Sequence, residues 1–515
     1  MNLVRPQLIK EIDKYATETL GIPARELMRR SGKAVSDAIR ARLLPGKRIV
    51  ILAGKGNNGG DGYAAASMLL SDFDVIVYDV FSSGQRSDEG KYFLSKYIQT
   101  GGTVLNYSNT PEALLNIKSC DCIVDAIFGT GFISEVSREI LEISECINSS
   151  DSPLKVSVDV PLGINAENGN IADYAVRFDI TVALSFIKRG TVSYPAREYA
   201  GEIIYSDIGL PTLEIAEKFS VKDAFIDEKW FKEKLPKRAQ NSNKGSFGKL
   251  LVIAGSEKYR GAAHLALESA LRSGVGLVTF MGENELINKL VPKFPEVIYE
   301  KTREIENSSS NDINHIVEFS KKFSSILIGS GSGNTKGLLD LVLAFLVTPG
   351  APIIIDADAI NALSTLAKEG LNAIKNARRK VILTPHPLEF SRLIGIGVDE
   401  IQKNRINYAE SAAKELGAVI VLKGAGTLIA NEDAIYVNSN GSSALAKAGS
   451  GDVLAGVMAS FVAQNPQNLF DAAALSVYLH ASAGDNLALS LSEFGVTPSD
   501  LPKEIARVLA HLCAT

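Results

Sequence analysis

The chain has only four cysteines among its 515 residues. Cys120, Cys122, Cys146 and Cys513 give a Cys-x-Cys but no Cys-x-x-Cys and no paired Cys/His cluster. That pattern argues against a zinc site and against a disulfide scaffold, and it fits a reducing compartment. No block of Lys and Arg stands out, and the formal charge is -5. An electrostatic footprint for nucleic acid or an anionic membrane is therefore missing, and neither partner is expected. No apolar run approaches the ~18 residues of a membrane span. The opening "MNLVRPQLIKEIDKYA" lacks the apolar segment and small-residue cleavage site of a secretory signal, so a cytoplasmic location is expected. A Gly-x4-Gly-Lys-Ser/Thr loop is absent as well, which disfavours a P-loop kinase.

What is present is the composition of an ordinary globular enzyme: 46% hydrophobic, 22% charged, and 43 glycines that mostly punctuate strand ends. The length exceeds what one core usually serves, so two domains are expected. Short β-branched runs alternate with longer helical patterns, the signature of βαβ units, and the fold class is α/β. In the first half the strand candidates are "RIVILA", "DVIVYDV", "DCIVDAI", "LKVSVDV" and "ITVALSF". In the second they are "KLLVIAG", "LVTF", "SILIGS", "PIIIDA", "KVILTP" and "AVIVLKG". Residues 211–246 are polar, charged and poor in strand signals, which places a boundary near 212–225 and domains at 1–215 and 225–515.

In an open parallel sheet, ligands bind along the edge formed by the strands' carboxyl ends. By that rule Asn57, Asn58, Asp61, Asp125, Asp159 and Lys188 should converge on one crevice. A second crevice should gather "GSGSG" (329–333), "DADAIN" (356–361), "TPHPLEF" (384–390), "KGAGT" (423–427) and "AGSGDVLAG" (448–456).

The stretch "GKGNNGGDG" (54–62) spells Gly-x-Gly-x-x-Gly, and Asp79 follows where a dinucleotide fold keeps its ribose-binding carboxylate. A pyrophosphate, however, wants bare amides at a helix start, and Asp61 would repel it. The side chains of Asn57, Asn58 and Asp61 instead suit hard cations and sugar hydroxyls. Asp159 ends a strand before a proline, and with Lys188 it supplies a carboxylate and an ammonium able to do proton-transfer work. "AGSGDVLAG" combines helix N-terminal amides with Asp452, a pairing suited to phosphoryl transfer with Asp452 as base. His386, between two prolines, is read as a ligand contact; Ala263 lies at a small-residue turn where a ligand could approach the backbone.

With these motifs collected, the chain resembles the bifunctional NAD(P)H-hydrate repair enzymes. In these, a Rossmann-like epimerase domain precedes a ribokinase-like dehydratase. The matching pieces include "ELMRRSG", "GKGNNGGDGYAAA", "DAIFGTGF", "SVDVPLGIN", "SFIKRG", "KGSFGKLLVIAGS", "GAAHLALESALRSGVGLVT", "DADAIN", "TPHPLEF", "VLKGAGT" and "AGSGDVLAG". The resemblance implies NADHX or NADPHX as substrate, epimerisation of its R and S forms, and dehydration of the S form at the expense of ADP. It assigns hydrate contacts to Asn57, Asn58, Gly59, Gly60, Asp61, Gly129, Thr130, Gly131, Phe132 and Asp159, and in the second site to Ala263, Gly333, His386 and Asp452. Lys423, Gly424, Ala425, Gly426, Thr427 and Gly451 would bind the nucleotide, with Mg2+ on its phosphates. Asp452, Asp159 and Lys188 would be the catalytic groups, Asn58 and Asp125 would hold a potassium ion, and a homo-oligomer is expected. Leu162 stands where the family has a serine, a proposed potassium ligand, so that contact is expected to come from backbone oxygen or to be lost. Leu388 replaces a glycine, and "GSGSG" replaces "GPGLG".

Two other readings use the same residues. One is a small-molecule kinase of the ribokinase-like group fused to a nucleotide-binding regulatory domain, which would leave a stable phosphorylated product. The other is a non-enzymatic binding module in the first half.

Overall fold

The computed structural model describes all residues except 82–85, 132–134, 303–304, 306–307 and 515. The chain divides into two compact units, one of residues 2–224 and one of 225–515 with Met1. Residues 216–224 thus belong with the first unit.

In the first unit, strands buried on both faces supply a parallel sheet, because runs such as "RIVILA" offer apolar side chains at every position after Arg48. Its order is Thr103–Asn106, Asp74–Asp79, Arg48–Ala53, Cys122–Ala126, Leu154–Val158, Ile180–Leu184, Glu202–Ser206. All seven strands run parallel. The chain winds outward from Arg48–Ala53 in one direction and then returns to Cys122–Ala126 on its other side. The carboxyl ends of those two strands are the point where strand order reverses, the place where such sheets open a crevice. Helix Ala24–Arg40 packs on helix Asn57–Leu69 so closely that a Cβ added at Gly32 would lie 2.5 Å from Ala64 Cβ. A two-residue parallel pairing, Leu3 with Ile187 and Val4 with Lys188, ties the N-terminus to the same unit.

The second unit holds a ten-stranded sheet in the order Ala224–Ile226, Ile435–Asn438, Leu428–Ala430, Val419–Leu422, Val381–Leu383, Ile353–Ile355, Ser325–Ile328, Lys249–Ile253, Leu277–Gly282, Ile298–Lys301. Strands from Val419–Leu422 to Ile298–Lys301 are parallel, and two antiparallel pairings extend one side. Strand order reverses between Lys249–Ile253 and Ser325–Ile328. Helix Ser450–Gln464 is apolar almost all round and buried, so it serves as core. Residues 211–246, read as a polar connector, contain helices Thr212–Lys218 and Glu228–Lys234 and the edge strand Ala224–Ile226. Three residues of strand are too short to leave a periodic signal.

Among the described residues no helix is long and apolar enough to cross a membrane.

Candidate functional site

The first crevice is built where Gly54 leaves the strand Arg48–Ala53. A Cβ at Gly59 would fall 1.9 Å from the Gly54 carbonyl oxygen, and one at Gly60 would fall 2.5 Å from Met28 Cε. The glycines are therefore there to let the first turn of helix Asn57–Leu69 fold back against its own strand and against helix Ala24–Arg40. That closeness turns Asn58 and Asp61 inward. Both are buried, and Asn58 Nδ2 donates to the Phe128 carbonyl at 2.7 Å, fixing its Oδ1 beside Gly129.

Asp125 ends the neighbouring strand and is wholly buried. Its carboxylate accepts the amides of Ile127 (3.1 Å) and Leu162 (2.9 Å), yet burial still holds its pKa up at about 7. Asp159 follows strand Leu154–Val158 with φ at 67, a left-handed conformation that a non-glycine residue adopts at a cost. The strain aims its carboxylate at Lys188, with which it forms a close ion pair, and Oδ1 also accepts the Leu184 amide at 3.3 Å. Lys188 is only 3% exposed, so it is a buried partner and not a solvated charge. Burial pushes the Asp61 carboxyl well above the usual range, and the charges of Asp159 and Asp13 push the same way, against a Ser31 hydrogen bond and Lys188.

Asn57, Asn58, Gly59, Gly60, Asp61, Asp125, Gly129, Thr130, Gly131, Asp159 and Lys188 thus stand at, or just after, the carboxyl ends of strands along one edge of the sheet. Phe132 lies outside the described residues. Leu162 donates its amide to Asp125, its carbonyl accepts the Val176 amide at 3.1 Å, and its side chain belongs to the apolar core. Asp79 closes an ion pair with Arg86.

The second crevice has a buried ionic centre that motif reading left without roles. Asp356, 1% exposed, accepts Ser330 Oγ and Thr384 Oγ1, each at 2.7 Å, and pairs with Lys423 Nζ at 3.2 Å. Glu389 lies 3.8 Å from the same ammonium. Burial works against the charge on Lys423, but Asp356 and Glu389 outweigh it and hold its pKa above the usual lysine value. Asp452 occupies the first turn of helix Ser450–Gln464, where burial first and Asp356 second push its pKa to about 7. A carboxylate so tuned is half-ionised near neutral pH, the condition for an efficient general base.

His386 caps helix Pro387–Ile394. Its Nδ1 accepts the Leu388 and Glu389 amides at 3.2 and 3.3 Å, and its Nε2 lies 3.2 Å from Glu389 Oε1. Burial and Lys423 lower its pKa, so the ring is neutral with its proton on Nε2. Leu388, in the glycine position, is exposed and displaces none of these contacts. Gly333 donates its amide to Asp358 at 2.8 Å, Gly451 approaches Lys423, and Ala263 is fully buried on helix Arg260–Arg272. The loop of Lys423, Gly424, Ala425, Gly426 and Thr427 is held by buried Arg405, which donates to the Ala425 and Leu422 carbonyls. Asp356 and Glu389 lie within the "DADAIN" and "TPHPLEF" motifs but were given no role of their own, and Arg405 lies outside every motif.

Among the described residues no group of three or more His, Cys, Asp or Glu side chains is placed to hold a metal ion. A magnesium ion here would draw most ligands from phosphates and water, as is usual for it. In the first unit Asn58 Oδ1 and the Asp125 carboxylate are hard oxygen ligands of the kind an alkali cation accepts, while the Leu162 side chain offers none.

Two family models match separate stretches of the chain, one in each unit. The family described as NAD(P)H-hydrate dehydratase matches residues 250–507, and the one described as YjeF-related protein N-terminus matches residues 24–190. A bifunctional NAD(P)H-hydrate repair enzyme Nnr from Moorella thermoacetica is 32% identical over 99% of this chain and 97% of its own length. Its counterpart from Escherichia coli is 29% identical over 97% of this chain and 92% of its own. The crystal structure of an ADP/ATP-dependent NAD(P)H-hydrate dehydratase from Bacillus subtilis, co-crystallised with ATP and Mg2+, is 31% identical and covers 56% of this chain and 99% of its own, with a TM-score of 0.49. The chain belongs to the family of bifunctional NAD(P)H-hydrate repair enzymes.

Proposed function

We propose that the first unit epimerises the R and S hydrates of NADH and NADPH, and that the second dehydrates the S form using ADP, releasing AMP and phosphate. The observation that carries this reading is Asp452, held half-ionised at a helix mouth beside Lys423. Hydroxide leaves a ring carbon poorly. A phosphate ester leaves readily, so a base that deprotonates the ring hydroxyl for attack on a phosphoryl group makes elimination feasible. Lys423 and the amides of Gly451 and the 423–427 loop would hold the nucleotide, and magnesium would neutralise its phosphates. Ala263, Gly333 and His386 would receive the hydrate.

In the first site Asn57 to Asp61 and Gly129 to Gly131 would line the nicotinamide crevice, with Asp159 and Lys188 as the proton-handling pair. Asn58 and Asp125 would hold a potassium ion, whose charge would favour ionised Asp125. Absence of any AMP release when the S hydrate and Mg-ADP are supplied would remove the dehydratase half of this reading.

A further inference from the structure

The second crevice continues beyond Gly333. A cavity of about 330 Å³ opens there, where strands Lys249–Ile253, Leu277–Gly282, Ile298–Lys301 and Ser325–Ile328 end. Met281 and Leu286, both buried, give it an apolar wall. Ser256, Thr302 and Ser332 add hydroxyl groups to its lining, and Tyr259, 46% exposed, completes it. The volume lies at the lower end of small-ligand cavities, roughly 300–1,000 Å³.

This cavity shares its walls with the site already described. Gly333 lines it and also donates its amide to Asp358 at 2.8 Å. Gly255, another lining residue, backs on Ala263: a Cβ there would lie 2.9 Å from Ala263 Cβ. A Cβ at Gly331 would lie 2.6 Å from Ala262 Cβ and 2.9 Å from Tyr259 Cβ, so the "GSGSG" loop is pressed against the start of helix Arg260–Arg272. Sheet order lays the parts out in a line. The Lys423 loop follows Val419–Leu422, His386 follows the adjacent strand Val381–Leu383, and the cavity spans the ends of the second to the fifth strand beyond that one. At one strand spacing each, it lies about 10 to 24 Å away. A mononucleotide with its ring at His386 would stop short of most of this space, whereas an extended dinucleotide would enter it.

One polar atom on the wall is unspent. Ser332 is buried, and its hydroxyl has no hydrogen-bond partner among the described residues. Buried hydroxyls are rarely left so, and this one can both donate to and accept from a bound group. Ser330, the other serine by which "GSGSG" departs from "GPGLG", is already engaged by Asp356 at 2.7 Å. Apolar surface on one side and hydroxyls on the other suit a flat heterocycle carrying a sugar. We propose that this cavity receives the adenosine half of the hydrate in the dehydratase site, with Ser332 Oγ as its hydrogen-bonding contact.

The inference rests on the dehydratase reading, and a truncated substrate separates the two. Dehydration of the S hydrate of NADH is compared with that of the S hydrate of reduced nicotinamide mononucleotide, which lacks the adenosine. Both are assayed with ADP and Mg2+ for the full chain, for Ser332→Ala and for Tyr259→Ala, and ADP binding by calorimetry reports the folding of each preparation. In the unsubstituted chain the mononucleotide hydrate should have a kcat/KM lower by about tenfold or more. Ser332→Ala should raise KM for the NADH hydrate by about three- to tenfold and leave kcat/KM for the mononucleotide hydrate unchanged. Tyr259→Ala should shift the ratio of the two substrates in the same direction, and it decides the matter if Ser332→Ala fails to bind ADP. Equal kcat/KM for the two hydrates, or a substitution that affects both alike or neither, overturns the proposal; no dehydration of the NADH hydrate by the unsubstituted chain overturns the reading beneath it.

Discussion

Lys423 and Asp356 are joined at 3.2 Å in the second unit, with Asp356 almost fully enclosed and also held by Ser330 and Thr384. Removing the ammonium leaves a buried carboxylate without its cation. Lys423→Met should therefore destabilise the protein by about 3 kcal/mol, read as a lower Tm. It should also weaken ADP binding in calorimetry, because the same ammonium is proposed to hold the nucleotide.

Asp452→Asn should lower kcat for dehydration by about 10^2- to 10^4-fold while leaving epimerisation intact, measured by separate assays of the two steps. In the unsubstituted chain the base must be ionised to act. With its pKa pushed to about 7, dehydration should rise with pH through that value.

Gly59→Ala places a methyl group 1.9 Å from the Gly54 oxygen, which only a backbone shift can relieve. Helix Asn57–Leu69 would have to withdraw from its strand, and Asn58 and Asp61 with it. Epimerisation should be lost while dehydration of the S hydrate continues.

His480 is buried 3.1 Å from Ser450 Oγ, and burial lowers its pKa to about 4. In the unfolded chain it titrates at an ordinary value near 6.5, so the folded state disfavours the proton. Stability from this group is complete above pH ~6.5 and is lost as pH falls toward 4, a difference of about 3 kcal/mol. Denaturant titrations at several pH values should show this decline, and it should be shallower in His480→Gln.

The two parallel sheets were legible because their central strands are apolar on both faces. "RIVILA" begins and ends where the strand does, at Arg48 and Ala53. The edge strands Thr103–Asn106, Glu202–Ser206 and Ile298–Lys301 escaped notice because each is half exposed and mixes polar residues into its run. The strand-end rule brought Asn58, Asp61, Asp125, Asp159 and Lys188 to one edge from spacing alone. It could not find Arg405, the first residue of a helix, which holds the 423–427 loop through backbone carbonyls.

The most direct test mixes R and S hydrates of NADH with the full chain, ADP and Mg2+, and follows reduced-nicotinamide absorbance to completion. Both epimers should be recovered as NADH, and in Asp159→Ala recovery should stop at the S fraction apart from slow spontaneous epimerisation. No recovery with either ADP or ATP, or accumulation of a stable phosphorylated product, would contradict the account.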